Sequence, residues 1–224
     1  MSNSAITTHD SNPAGRRDLL RLAFGALIVP ALWRPAAAQR VDGADAVLPI
    51  QRLDQALLAA MKAGQQTPFA QRFTVLTPAI EQALDLDALL AESVGPAWTG
   101  LPPDQQALLA SEFRRYTVSS YAANFDSFSG QTFRLSPAPR RLADGRVVVD
   151  TAIVRADGSA TALDYVMHQT DAGWRAVDVL ADGSISRVAV QRSDFRSLLR
   201  GGGVAALVAG LRHKVVSLSG GTLA

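Results

Sequence analysis

The chain has 224 residues, no cysteine and a formal net charge of +2, which fits one domain with an appended terminal segment. The lack of cysteine excludes disulfides, thiol nucleophiles and cysteine metal sites. Residues 1–38 hold four of the 22 Lys and Arg residues and two of the 20 Asp and Glu residues, so the remainder has 18 of each and is formally neutral. A neutral chain without a polybasic block is unlike a nucleic-acid binder or a protein held on an anionic membrane by charge.

The first 38 residues have the three parts of a secretory signal. Arg16-Arg17 gives the positive end and resembles a twin-arginine signal, an apolar run occupies residues 22–32, and three alanines close the segment at Ala38. The apolar run is about half as long as a bilayer-spanning helix needs. We therefore predict export to the periplasm with cleavage after Ala38. An uncleaved N-terminal anchor is the alternative, and the twin-arginine and general secretory routes both stay open.

Two helices are predicted after a flexible leader at residues 39–49. Apolar residues recur at three- and four-residue spacing in residues 50–64, where a single domain that extends to residue 219 begins. A second apolar stripe follows Pro68 and contains Pro78, which lacks the backbone donor that a helix interior needs. We therefore expect the second helix to break at Thr77.

The longest helix is predicted for residues 104–125. Tyr116 and Tyr121 lie five positions apart on it, which corresponds to about 140° around the axis. We therefore expect Tyr116 to line a cavity together with Phe113, and Tyr121 to pack against neighbouring helices together with Phe125.

Shorter helices are predicted on either side of the longest one. Asp85 is the expected cap of a helix that ends at Gly95. Near the C-terminus, Ser193 is the expected cap of a helix that ends at the three glycines 201–203, and residues 204–216 form the last helix.

Four β-type runs follow Gly130, at residues 133–135, 146–155, 161–169 and 174–180. Turn sequences with Asp and Gly separate them, which predicts an antiparallel meander. Helices, then a meander, then helices are typical of an α+β fold. The predicted fold is a twisted four-stranded antiparallel sheet packed under a helical layer.

The sequence contains no G-x-S-x-G, S-x-x-K or H-E-x-x-H motif, and neither a metal nor a cofactor is expected. The three glycines at 201–203 lack the lysine and the preceding strand of a phosphate-binding loop. Asp150, Asp164 and Asp178 lie on three predicted strands. They suit the solvent side of alternating strands, although a carboxylate cluster in an apolar pocket would suit an enzyme.

Large apolar side chains are the most prominent feature of the predicted domain. Those expected to line a hydrophobic cavity between helices and sheet are Phe73, Phe113, Tyr116, Phe133, Val147, Val149, Tyr165, Met167, Trp174 and Val177. For any one of them, a packed core is the simpler interpretation.

Six short segments, in this order and spacing, are similar to the MlaC superfamily of toluene-tolerance (Ttg2-type) lipid-binding proteins. They are Leu84-Asp85-Leu86, Gly95-Pro96-Ala97-Trp98, and residues 101–106, 113–122, 171–179 and 191–195. The resemblance implies that lipid tails lie between the sheet and the helices while the headgroup stays in water. It also implies a carrier without catalytic activity.

The resemblance further implies partners. They are one lipid per chain, an inner-membrane transport complex of the ABC or RND type, and an outer-membrane lipoprotein complex. Residues 185–195, with Val190-Gln191-Arg192 where many relatives have Asn-Tyr-Arg, and residues 214–221 resemble the hopanoid-associated HpnM subgroup. The expected cargo is therefore a phospholipid or a hopanoid. A hopanoid-modifying enzyme and a periplasmic adaptor without cargo are the alternatives.

Overall fold

The computed structural model describes residues 43–223, and the predicted signal at residues 1–38 lies outside them. The described chain forms five α-helices and one open antiparallel sheet of seven strands. The helices are α1 (Val47–Ala63), α2 (Phe69–Ala83), α3 (Leu86–Val94), α4 (Pro103–Asn124) and α5 (Arg187–Leu218). The strands are β1 (Thr132–Leu135), β2 (Arg140–Arg141), β3 (Val147–Val149), β4 (Thr151–Val154), β5 (Ala160–Thr170), β6 (Gly173–Ala181) and β7 (Ile185–Ser186). This is the predicted α+β class.

Helical structure begins earlier than the sequence predicted. A 3₁₀ turn at Gly43–Ala46 leads directly into α1, and Ala46 is fully buried. Pro49 lies in the first turn of α1, where a missing backbone N–H removes no helical hydrogen bond. The segment expected to be a flexible leader is therefore helical from Gly43 onward. As predicted, α1 ends at Gly64, whose φ is 71°.

Helix α2 continues through Pro78, so the predicted break at Thr77 is wrong. Pro78 has no backbone N–H to donate to the carbonyl of Thr74. Both residues lie on the exposed side of α2, where water can satisfy that carbonyl. Leu76 and Ile80 are fully buried on the other side. Their packing holds both halves in one helix, because tertiary burial outweighs the local cost of proline.

The predicted cap of α3 and the interruption near the C-terminus are confirmed. An oxygen of the Asp85 carboxylate accepts a hydrogen bond from the backbone N–H of Ala88 at 3.0 Å. Gly202 and Gly203 leave the helical conformation inside α5. However, α5 starts well before Ser193, because its N-cap is Ser186, whose hydroxyl accepts from the backbone N–H of Ala189 at 2.9 Å.

The sheet is an antiparallel meander in chain order when β1 with β2, and β3 with β4, are each counted as one interrupted strand. β5 pairs with β3 and β4 on one side and with β6 on the other, while β1, β2 and β7 extend the edges. The prediction of four strands is wrong for two reasons. The run 146–155 divides at Asp150, which lies between β3 and β4. In addition, β2 and β7 contain two residues each, too few to show an alternating pattern.

A β-bulge in β6 determines which side chains face the helices. Val166 pairs with Asp178, whereas the next residue, Met167, pairs with Ala176, so Val177 is the extra residue. A bulge of this kind shifts the alternation of side chains by one.

The main core lies between the helices and one face of the sheet, which we call the inner face. It is marked by Val147 and Val149 of β3 and by Tyr165 and Met167 of β5, all buried in one apolar cluster. The opposite, outer face carries a smaller cluster of Val148, Val166 and Val177, with Ala88 of α3 packed against it.

Candidate binding cavity

A cavity of about 450 Å³, half open to solvent, lies between α4, the inner face of the sheet and the beginning of α5. Its volume is within the roughly 300–1,000 Å³ that ligand pockets usually have. Most of its wall is apolar. The lining residues are Leu84, Leu89, Phe113, Tyr116, Thr117, Ser120, Tyr121, Asn124, Phe125, Leu163, Tyr165, Val179, Ala181, Arg187 and Gln191.

One face of α4 forms the longest wall of the cavity. Six of its lining residues, from Phe113 to Asn124, follow the spacing of three and four residues that marks one side of a helix. Tyr116 and Tyr121 both line the cavity, so the expectation that Tyr121 and Phe125 only pack against helices is wrong. The cavity is wide enough to contact both side chains, although Tyr116 and Tyr121 lie about 140° apart around the helix axis.

Aromatic rings stiffen this wall. Phe195 of α5 packs edge-on against Phe113, with ring centroids 6.2 Å apart. Tyr121 stacks on Phe125 at 5.8 Å, and Phe125 stacks on Phe133 of β1 at 6.2 Å. Such pairs add to the apolar burial of each ring, so the helix wall is joined to the sheet by direct contact.

The sheet contributes the opposite wall through alternating residues. Leu163 and Tyr165 of β5 lie on the inner face, and their partners on β6 are Ala181 and Val179. Because alternate residues of a strand share a face, these four side chains form one continuous surface beneath α4.

The sequence-predicted lining residues divide into three groups. Phe113, Tyr116 and Tyr165 line the cavity. The second group belongs to the packed inner core without lining the cavity, either as fully packed members or as half-buried neighbours: Val147, Val149, Met167, Trp174, Phe73 and Phe133. Val177 lies on the outer face, so its predicted place in the cavity wall is wrong; it is the extra residue of the bulge in β6.

Several lining residues were not singled out from the sequence. Thr117 and Ser120 lie one helical turn from Phe113 and Tyr116, and Asn124 lies two turns from Tyr116, so the helix period contained a signal for them. Arg187 had no such signal, because it stands at the beginning of a helix that was predicted to start later. Arg187 and Gln191 form the polar side of the cavity.

A buried carboxyl group lies close to Tyr121 and Tyr165, two of the three tyrosines that line the cavity. Asp54 of α1 is 6 % exposed, and neither carboxyl oxygen has a hydrogen-bond partner among the described residues. Burial raises the pKa of Asp54 to about 7. Burial also raises the pKa of Tyr121 to about 12, although a hydrogen bond with Tyr165 and the positive charge of Arg187 act in the opposite direction. The hydroxyl of Tyr121 therefore stays protonated at neutral pH and can donate a hydrogen bond.

A second depression, of about 470 Å³, lies on the outer face between α3 and the beginning of α5. Its charged groups are engaged by neighbouring groups of the protein. Arg192 contacts Glu92 at 2.8 Å, and His168 contacts Asp85 at the same distance. The carboxylate of Asp178 accepts from the backbone N–H of Val188 at 3.1 Å. These groups have their partners within the fold, so the outer depression offers a ligand little to bind.

The three aspartates that suggested an enzyme do not line the apolar cavity. The guanidinium of Arg140 contacts Asp150 at 2.9 Å and lies 3.9 Å from Asp164. Asp178 anchors the beginning of α5 from the outer face. Asp150 and Asp178 are half-buried, whereas Asp164 is only 8% exposed, so the expectation that it faces solvent is wrong. Among residues 43–223, no group of three His, Asp or Glu side chains could hold a metal ion.

None of the helices in the described part of the chain is long and apolar enough to cross a membrane. The fold and the cavity together define an α+β protein with an apolar site between a helical layer and an open antiparallel sheet. The chain belongs to the MlaC family, whose family model, described as "MlaC protein", matches residues 51–213.

A solved structure shares this fold. It is a phospholipid-binding protein from Ralstonia solanacearum in complex with a phospholipid, with a TM-score of 0.67 and 23% sequence identity. The match covers 78% of this chain and 99% of the Ralstonia chain. Membership of the HpnM subgroup stays a prediction.

Proposed function

We propose that the protein is a periplasmic carrier that binds one lipid per chain and shuttles it between inner- and outer-membrane complexes. The half-open apolar cavity between α4 and the sheet is the observation that carries the proposal. The apolar part of the lipid would lie against Phe113, Tyr116 and Tyr165, and its polar end would lie near Arg187. Membership of the MlaC family and the phospholipid bound by the Ralstonia protein support this function.

The energetics favour a lipid over a small polar ligand. Each methylene removed from water contributes about 0.8 kcal/mol, so an acyl chain or a polycyclic skeleton in the cavity would remain bound through purification. A phospholipid and a hopanoid both satisfy this requirement.

Native mass spectrometry of the protein beginning at Gln39 tests the proposal. We expect a mass increase of one lipid per chain, and organic extraction should identify that lipid. Lipid-loaded protein should then release its cargo to empty acceptor liposomes, as a shuttle must. Protein that is always empty, and that takes no lipid from liposomes of phosphatidylethanolamine and phosphatidylglycerol, would instead be an adaptor. Chemical conversion of the bound lipid during incubation would support the hopanoid-modifying enzyme.

The periplasmic location depends on residues 1–38. N-terminal sequencing of the exported protein should begin at Gln39, whereas a membrane-bound form that begins near Met1 would contradict cleavage. Replacement of Arg16 and Arg17 by Lys should block export by the twin-arginine route, and unchanged export would assign the general secretory route.

A further inference from the structure

Charge is distributed unevenly around the cavity. Arg187 is the only charged residue among its described lining residues, and no carboxylate accompanies it there. A neutral, wholly apolar cargo would need no charge at this position. An anionic group on the cargo would find an oppositely charged partner there, and no like charge among the lining residues would repel it.

Two other polar side chains of the cavity are already engaged. The amide of Gln191 is hydrogen-bonded to the hydroxyl of Ser93 at 3.1 Å, and the amide of Asn124 donates to the carbonyl of Ser120 at 2.8 Å. In contrast, within residues 43–223 the guanidinium of Arg187 takes part in none of the ion pairs or hydrogen bonds. Its five N–H donors are therefore available to a ligand.

Thr117 of α4 is a second unsatisfied polar residue in the wall of the same cavity. Its hydroxyl is buried and has no hydrogen-bond partner in the described part of the chain. A buried hydroxyl without a partner costs free energy, and a rotation of the Thr117 side chain toward the cavity would let an oxygen-rich part of a bound lipid relieve that cost. This observation is independent of the charge of Arg187.

The backbone that carries Arg187 is held firmly. The hydroxyl of Ser186 caps the first turn of α5, and the carboxylate of Asp178 accepts from the backbone N–H groups of Val179 and Val188 at 2.8 and 3.1 Å. This nearby carboxylate thus binds the helix terminus from the outer face and leaves the guanidinium unpaired. The backbone of Arg187 is therefore fixed at the edge of the cavity, and its side chain is exposed.

We propose that Arg187 binds the phosphate group of the cargo, so that the cavity selects phosphodiester lipids over neutral lipids. This inference rests on the proposed function as a lipid carrier. Guanidinium binds phosphate through two parallel N–H···O bonds, a geometry that an ammonium group does not reproduce. A polycyclic alcohol without phosphate would gain at most a hydrogen bond to an uncharged oxygen, without the charge pairing or the two parallel bonds.

The test compares Arg187→Gln with Arg196→Gln. Arg196 is also exposed on α5 but lies outside the cavity, so both variants lose the same charge from the same helix. Delipidated protein is incubated with liposomes that contain equal amounts of dioleoylphosphatidylglycerol and dioleoylglycerol, which have identical acyl chains. Mass spectrometry then gives the ratio of the two lipids that each variant has taken up.

We expect the unmodified protein and Arg196→Gln to prefer the phospholipid, and Arg187→Gln to reduce that preference roughly tenfold, as loss of a charge-assisted hydrogen bond does. Arg187→Lys should keep part of the preference. Equal uptake ratios in Arg187→Gln and the unmodified protein would overturn this inference while leaving the carrier intact. Failure of every variant to take up lipid would overturn the proposed function and this inference with it.

Discussion

The two faces of the sheet have depressions of nearly equal size, about 450 Å³ on the inner face and about 470 Å³ on the outer face. They differ in what their walls leave unsatisfied. The inner cavity is mostly apolar, and the Thr117 hydroxyl in its wall has no described partner. On the outer face, Arg192 and Asp178 are both bound by neighbours within the fold. The volume of a depression therefore does not identify the binding site. The two depressions are distinguished by whether the polar groups in their walls already have partners within the fold.

The largest expected effect comes from filling the inner cavity. Val149 and Val179 are matched positions, because both pair with Tyr165 on the same face, one from each side. Val179 is half-buried and lines the cavity, whereas Val149 is fully buried and does not. Val179→Trp should abolish lipid copurification and leave the melting temperature nearly unchanged.

Val149→Trp is the control for that variant. Overpacking a filled core costs about 1–3 kcal/mol, so this change should lower the free energy of unfolding measured by chemical denaturation. Comparable stability losses at both positions would mean that the inner face is packed throughout and holds no cavity.

Asp54 should make stability depend on pH. Its pKa is about 7 in the folded protein, against an ordinary value of 3.8. Between these values the unfolded chain ionises while the folded carboxyl stays neutral, so the free energy of unfolding falls as the pH rises. The loss is complete above about pH 7 and amounts to about 4 kcal/mol at most.

Asp54→Asn removes this titration. Denaturation curves at about pH 5 and about pH 8 should show that the stability advantage of the variant grows by about 2–3 kcal/mol across this interval. Asp171→Asn, in an exposed turn, is the control and should give no such growth. Parallel pH profiles for Asp54→Asn and the unmodified protein would show that the buried carboxyl has a partner in solution.

Much of the fold was predictable because long segments with a regular spacing of apolar residues indicate their own secondary structure. The stripe in residues 50–64 and the aromatic face of α4 correctly predicted two helices. Asp85 correctly predicted a cap. The failures arose where tertiary structure decides. Pro78 is tolerated only because buried residues on both sides hold α2 together.

The candidate site was predictable only in part, for a related reason. Phe113, Tyr116 and Tyr165 line the cavity; the first two follow from the helix period, whereas the strand period leaves open which face of the sheet Tyr165 belongs to. The position of Val177 depends on a bulge, which is a relation between two strands and leaves no mark in the sequence of either. Whether a buried residue such as Val149 lines a cavity or fills a core depends on its neighbours in space.

Asp178 tests the outer face as a structural element. Its carboxylate accepts hydrogen bonds from two backbone N–H groups and from Ser186. Asp178→Ala leaves the N–H of Val188 without this acceptor and should lower the free energy of unfolding by about 1–2 kcal/mol. Asp178→Asn keeps one acceptor oxygen and should recover part of that loss. A larger effect on lipid uptake than on stability would show that the outer face contributes to binding.

The smallest effect is expected for Arg192, which lies five positions after Arg187 on α5 but lines the outer depression. Its guanidinium joins α5 to α3 through the carboxylate and the backbone carbonyl of Glu92. The Glu92 side chain is 63% exposed, and ion pairs in such surroundings contribute about 0–1 kcal/mol. Arg192→Ala should therefore lower the melting temperature only slightly. It should also leave the uptake of dioleoylphosphatidylglycerol unchanged under the conditions in which Arg187→Gln loses its preference. If the two arginine variants lost phospholipid equally, recognition would depend on the overall positive charge of α5, and the distinction between the two faces would fail.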